Sequence, residues 1–131
     1  MTNNQDILKA LLTVNTDVRK KVAMPRFGFD FEIKALTGDE MTKIQERATK
    51  HLGKGKKKLD EDKLNYLIIA KACIVPNWED PALLEACETP DAVDVIKSKL
   101  LFGEIATLLG EIGELNGFDK TDEEEIEEIK N

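Results

Sequence analysis

The chain has 131 residues, 41% hydrophobic and 34% charged, with a formal net charge of −7. That length suits one domain with a real core and is short for two. No apolar run approaches the roughly 20 residues that span a bilayer. The opening Met1-Thr2-Asn3-Asn4-Gln5-Asp6 has neither the basic nor the apolar region of a secretory signal, so an intracellular protein without membrane contact is expected.

Ile7, Leu8, Leu11 and Leu12 give a short amphipathic helix near the start. After it, Val18-Arg19-Lys20-Lys21-Val22-Ala23-Met24 begins to alternate apolar with basic and reads as a strand. Beyond Pro25, residues Phe27, Phe29, Phe31, Ile33 and Ala35 fall on alternate positions, the clearest strand in the chain. This period puts three phenylalanines on one face. A two-stranded ribbon is marginal alone in water, so that face must pack on helices.

Thr37-Gly38-Asp39-Glu40 matches a capping box, and Met41, Ile44, Ala48 and Leu52 mark the buried stripe of the helix it starts. Gly53 to Lys58 reads as a solvated, flexible loop; it lacks the closing Gly-Lys-Ser/Thr of a phosphate-binding loop. From Asp60, residues Leu64, Leu67, Ile68, Ala72 and Val75 trace the helix most apolar all round, hence the expected central one. Asp80-Pro81 and Thr89-Pro90 each pair an N-cap with a proline at the first helical position. Leu101-Phe102-Gly103-Glu104 opens a further helix over 104–116, with Ile105, Leu108, Leu109, Ile112 and Leu115 as its stripe and Gly117 at the left-handed closing position. Thr121-Asp122-Glu123-Glu124 is another capping box, for a helix over 122–130.

The expected fold is therefore mainly α, of the α+β kind: five to seven short helices packed on a small two-stranded antiparallel β-hairpin near the N-terminus. Residues 1–118 are expected to form one helical domain with the hairpin at about 18–35, and 119–131 an acidic C-terminal tail, disordered or a short helix.

Catalytic and metal chemistry find no support. Cys73 and Cys87 match neither a redox pair nor a zinc knuckle, and the single histidine, His51, has no cysteine or carboxylate at ligand spacing. Residues 119–130 fail as a calcium loop, with Glu124 where glycine is needed and Lys130 where a bidentate glutamate is needed. No catalytic residue, metal ligand or cofactor is assigned, and no enzymatic activity is expected.

Residues 1–58 hold 13 Lys/Arg and 7 Asp/Glu, while residues 59–131 hold 6 and 19. Such a split suggests weak head-to-tail self-association, the basic half of one molecule against the acidic half of the next. The acidic total argues against nucleic acid despite the basic knot of Lys54, Lys56, Lys57 and Lys58.

Four segments, in order, resemble the tail assembly chaperones of long-tailed bacteriophages and prophages, in particular the XkdN-like group. They are Phe31 to Glu40 (FEIKALTGDE), Pro76 to Leu84 (PNWEDPALL), Leu101 to Ile105 with its helix to Asn116-Gly117-Phe118, and the ending Glu127-Glu128-Ile129-Lys130-Asn131. Phe102 stands where relatives often have proline, a departure that bears on the shape of that turn. The resemblance implies a non-enzymatic protein of the bacterial host cytoplasm, absent from the mature virion. It would bind the tape measure protein and help recruit tail tube protein subunits around it. The alternative is a small cytoplasmic regulator that binds another protein or nucleic acid through its basic N-terminal half. Trp78, Phe102, Ile126 and Ile129 are the candidate partner contacts, although Trp78 reads first as a core anchor beside the central helix.

Overall fold

The computed structural model describes residues 3–118. The expected helix over 122–130, with Ile126 and Ile129, lies outside them. Helix α1 (Asn4–Thr13) is followed by strands β1 (Arg19–Met24) and β2 (Phe29–Lys34), joined by a 3₁₀ turn at Pro25–Phe27. Then come α2 (Gly38–Ala48), β3 (Thr49–Gly53), β4 (Lys56–Leu59), α3 (Glu61–Ala72), β5 (Cys73–Val75), α4 (Pro81–Ala86), α5 (Ala92–Lys99) and α6 (Phe102–Leu115).

The expected fold, helices on a single two-stranded hairpin near the N-terminus, is corrected by two sheets. The first has three strands in the order β1-β2-β5, with β2 central and both pairings antiparallel. The second pairs β3 with β4. The third strand was hidden because Val75 continues the apolar stripe of α3. Pro76 decides the matter, since its ring disfavours helical backbone at the residue before it. The chain leaves α3 at Ala72, and Cys73 and Val75 come to lie beside Ile33 and Glu32.

Alternation in the first sheet does what a half-buried sheet requires. Val22, Met24, Phe31 and Ile33 are buried, between positions that face solvent or its margin. Phe31 stacks against Phe27 at 5.2 Å and meets Trp78 edge-on at 6.1 Å. Phe29, expected on the same buried face, is 75% exposed where the strand leaves the 3₁₀ turn. The sheet packs on α3, α5 and α6 through Ile69, Ala72, Val95, Ile96, Leu108 and Ile112. A second cluster joins Ile44 and Ala48 of α2 to Leu67 of α3 and Val93 of α5. Helix α3 thus has apolar neighbours on several sides, which is why its apolar residues are not confined to one stripe.

The helix ends follow their local chemistry. The Glu40 amide donates to Thr37 Oγ1 at 3.3 Å and the Thr37 amide donates to Glu40 Oε1 at 3.1 Å, a complete capping box. Asp80 caps α4 by accepting from the Ala82 amide at 2.9 Å, with Pro81 in the first turn. At the Thr89-Pro90 pair the cap is Asp91, two residues later than expected, and Thr89 Oγ1 accepts from the Asp91 amide instead. Helix α6 closes with the Phe118 amide on Gly113 O and the Gly117 amide on Glu114 O, Gly117 taking φ of 99° as this Schellman pattern demands.

Two expectations follow. Leu108 is fully buried in the sheet-facing cluster, so Leu108→Ala should lower the unfolding free energy by about 2–5 kcal/mol, read from urea denaturation. The Thr37 amide holds the Glu40 carboxyl below its ordinary value, with burial opposing and Lys34 assisting. Because folding favours the charged form, this contribution is present at neutral pH. It is lost as pH falls through and below the usual carboxyl range near about 4.3. Glu40→Gln should therefore lower Tm at pH 7, and its deficit against the wild type should shrink on acidification.

Candidate protein-docking surfaces

Three surfaces stand apart from the core. The first is an open cleft of about 530 Å³ between the start of α2, the middle of α3 and the end of α6. Leu36, Met41, Ile68 and Leu109 line it half-buried, Ile112 forms part of the floor, and Phe118, 62% exposed, stands at its mouth. Asn116 fixes one rim: its Oδ1 accepts from the Leu36 amide at 2.7 Å while its Nδ2 donates to Ile112 O at 2.7 Å. Gly113 also lines the cleft, and a Cβ built there meets nothing within 4 Å. The missing side chain is part of what keeps the cleft open.

The second surface is α1. Asn3 caps it by accepting from the Asp6 amide at 2.9 Å, yet none of its residues is buried. Its stripe of Ile7, Leu8, Leu11 and Leu12 is exposed, Leu12 at 86%. A ten-residue helix is marginal in water without a packing partner. The segment after it returns to the body where the Ala35 amide donates to Val18 O at 2.8 Å, next to Leu36 on the cleft rim.

The third surface is the β3–β4 ribbon, where the sequence suggested a helix end and a flexible loop. Helix α2 stops at Ala48 instead. Lys54 and Gly55, with φ of 53° and 76°, form the two-residue turn of a hairpin, with a bulge at Leu52, between His51 and Gly53. Nearly every ribbon residue is exposed, and Leu52, read as part of the α2 stripe, faces solvent.

Part of the remaining charge is paired within the molecule. Lys20 bonds Glu111 and lies near Glu114, and Arg26 grips Glu104 through Nε and Nη2 while Nη2 also donates to Lys99 O at 2.7 Å. Lys50 meets Asp60 at 3.3 Å and Arg47 reaches Glu79 at 4.0 Å. Four basic residues of the first half, Lys20, Arg26, Arg47 and Lys50, are thus tied to carboxylates of the second. The Arg26 guanidinium, with help from the Leu101 amide, holds the Glu104 carboxyl below its usual range.

Of the candidate contact residues, Trp78 is 3% exposed in the core, and Phe102 is 89% exposed at the start of α6. Ile126 and Ile129 lie outside the described residues. The Trp78 Nε1 is buried without a conventional hydrogen-bond partner. Burial raises the Cys73 thiol to about 11, opposed weakly by the Trp78 indole, which makes that sulfur a poor nucleophile at neutral pH. His51 is exposed on the ribbon. Among the described residues no group of three His, Cys, Asp or Glu side chains is placed to hold a metal, and no helix is long and apolar enough to cross a membrane. The cleft was not legible in the sequence because its walls come from Leu36, Met41, Ile68 and Leu109, on separate elements.

A small α+β body whose most apolar cleft opens to solvent presents a surface of the kind that binding partners cover. The family described as phage XkdN-like tail assembly chaperone protein matches residues 8–130, and the chain belongs to that family. It is similar to the uncharacterized protein YqbN of Bacillus subtilis (strain 168), 34% identical over 103 residues, which are 75% of this chain and 68% of YqbN. It is also similar to the phage-like element PBSX protein XkdN of the same organism, 33% identical over 106 residues, 77% of this chain and 72% of XkdN. The crystal structure of YqbN shares the fold, with a TM-score of 0.64 and 27% identity over 84% of this chain and 95% of that one.

Gly113 has ordinary helical backbone and open space at Cβ. Gly113→Ala should therefore raise the unfolding free energy by about 1 kcal/mol, the usual helix-interior difference between the two residues, measured by thermal or urea unfolding.

Proposed function

We propose that the protein binds the tape measure protein in the bacterial host cytoplasm during tail assembly, keeps it soluble and helps bring tail tube subunits to it, without becoming part of the virion. The observation that carries this reading is the apolar cleft between α2, α3 and α6. Its aliphatic walls, with Thr37, Gln45, Asn65 and Asn116 as polar lining, suit the apolar stripe of an amphipathic helix, the helix-in-groove mode of recognition. A tape measure protein exposes long stripes of that kind. Helix α1 adds a second exposed aliphatic stripe that the same partner can cover.

Co-expression with the tape measure protein followed by pull-down tests the reading. The wild type should hold the partner in the soluble fraction. Gly113→Leu, which fills the cleft without meeting a neighbour at Cβ, should lose most of it while melting at or above the wild-type temperature. A tape measure that stays insoluble and unbound beside the wild type would sink the proposal.

A further inference from the structure

The ribbon carries charge that the rest of the molecule does not use. Lys50, Lys54, Lys56, Lys57 and Lys58 fall within the eleven residues 49–59, and among the described residues only Lys50 of the five forms an ion pair, with Asp60. The ladder places Lys50 opposite Lys58 and His51 opposite Lys57. Like charges directly opposite weaken a strand pair, and a two-stranded ribbon is marginal to begin with. Lys54 adds a left-handed backbone that a residue with a Cβ adopts at a penalty. A ribbon held in this form displays cations outward, an arrangement that an anionic partner stabilises.

The same chain contains the matching anion. Residues 119–131 hold seven of its 26 carboxylates and two of its 19 basic residues, so this stretch carries −5 of the net −7. Outside the ribbon, Lys20, Arg26 and Arg47 are engaged by carboxylates of the same molecule, whereas four lysines crowd into the five positions 54–58 of the ribbon. We infer that the β3–β4 ribbon docks residues 119–131 of a second copy of this chain through ion pairs between its lysines and the run Asp122 to Glu128.

Covalent reach favours the second copy over the same molecule. Helix α6 ends beside Leu36, at the start of α2, whereas the ribbon begins at the far end of that helix. Eleven helical residues are about 16 Å long. The ribbon then packs against no other element to a comparable degree, and its five-residue strand takes the outer lysines up to about 17 Å further. Glu123 to Glu125 follow Phe118 by five to seven residues and Glu127 and Glu128 by nine and ten, so even the far end of the run needs nearly full extension, at most about 30–36 Å, to reach the outer lysines. Near that limit the advantage of an intramolecular contact vanishes. A nucleic acid fits the ribbon less well: Asp60, Glu61 and Asp62 stand with Lys50 and Lys58 around the cleft at its base, where a long polyphosphate would pass, while a short acidic peptide need engage only the outer lysines. Because ribbon and acidic stretch are different surfaces, each molecule offers one of each, and the association runs head to tail.

Sedimentation of the full chain tests this, with two charge-reversed variants: Lys56→Glu/Lys57→Glu/Lys58→Glu, and Glu123→Lys/Glu124→Lys/Glu125→Lys. The ribbon variant places a glutamate opposite Lys50 and so does not weaken the ladder. The wild type should exceed monomer mass at low salt and return to it at roughly 0.5 M, where charges are screened within a few ångströms. Each variant alone should be monomeric at low salt, and an equimolar mixture of the two should associate again. A wild type that is monomeric at low salt, association that survives in either variant, or a mixture that stays monomeric would overturn the inference. So would nucleic acid that co-purifies with the wild type and is missing from the ribbon variant.

Discussion

The fold depends on α3 being buried from more than one side at once. Toward the sheet and α6 it presents Ile69, Ala70 and Ala72; toward α2 and α5 it presents Leu67. A helix in that position must end cleanly, because its next turn would enter the sheet, and the Val75-Pro76 sequence ends it. Instead of wasting the apolar residues that follow, the chain uses them as β5. Cys73 and Val75 complete a sheet in which β2 has partners on both edges and Ile33 is fully buried. Helix and sheet are therefore fixed by one covalent junction, and the aromatic trio Phe27, Phe31 and Trp78 packs beside it.

Electrostatics then joins the first part of the chain to the last. Arg26 donates to Glu104 from both Nε and Nη2 and bonds the Lys99 carbonyl, so one guanidinium secures the α5–α6 turn. Glu104 Oε1 also accepts from the Leu101 amide at 2.8 Å, the returning half of a capping box whose other half leucine cannot supply. Phe102 is consequently exposed at a helix start defined by Glu104 and Arg26. These partly exposed pairs add modestly to stability. Their clearer role is to tie Lys20, Arg26, Arg47 and Lys50 of the first half to carboxylates of the second within one molecule.

Local signals in the sequence specify the structure where one residue determines a backbone choice. The Thr37 box, the Asp80-Pro81 start and the Gly117 finish are all of that kind. Readings failed where two structures share one pattern. Leu52 continues the spacing of Ala48 and Val75 that of Ala72, so helix and strand were indistinguishable by periodicity there. The signals that separate them are Pro76 in one case and the two-residue Lys54-Gly55 turn in the other. Thr89-Pro90 offered one cap and Asp91 another, and the later one prevailed. The cleft belongs to a third category, since no periodicity within an element reports which faces of three separate helices are left uncovered.

Helix α6 shows how such an opening is maintained against the drive to pack. It contains three glycines, Gly103, Gly110 and Gly113, each of which costs a helix interior about 1 kcal/mol relative to alanine. None has a positive φ or a neighbour that would forbid a side chain, so the backbone does not require them. Nothing in the structure explains Gly103 or Gly110. Gly113 differs in its location, beside Ile112 and Asn116 on the wall of the cleft. A leucine or isoleucine there would extend the apolar stripe of α6 and fill the space between α6, Leu36 and Met41, gaining helix propensity and burial together. The chain forgoes both at the one position where gaining them would close the surface suited to an incoming helix. A local departure from the most stable choice at a binding surface is where function is expected to override folding.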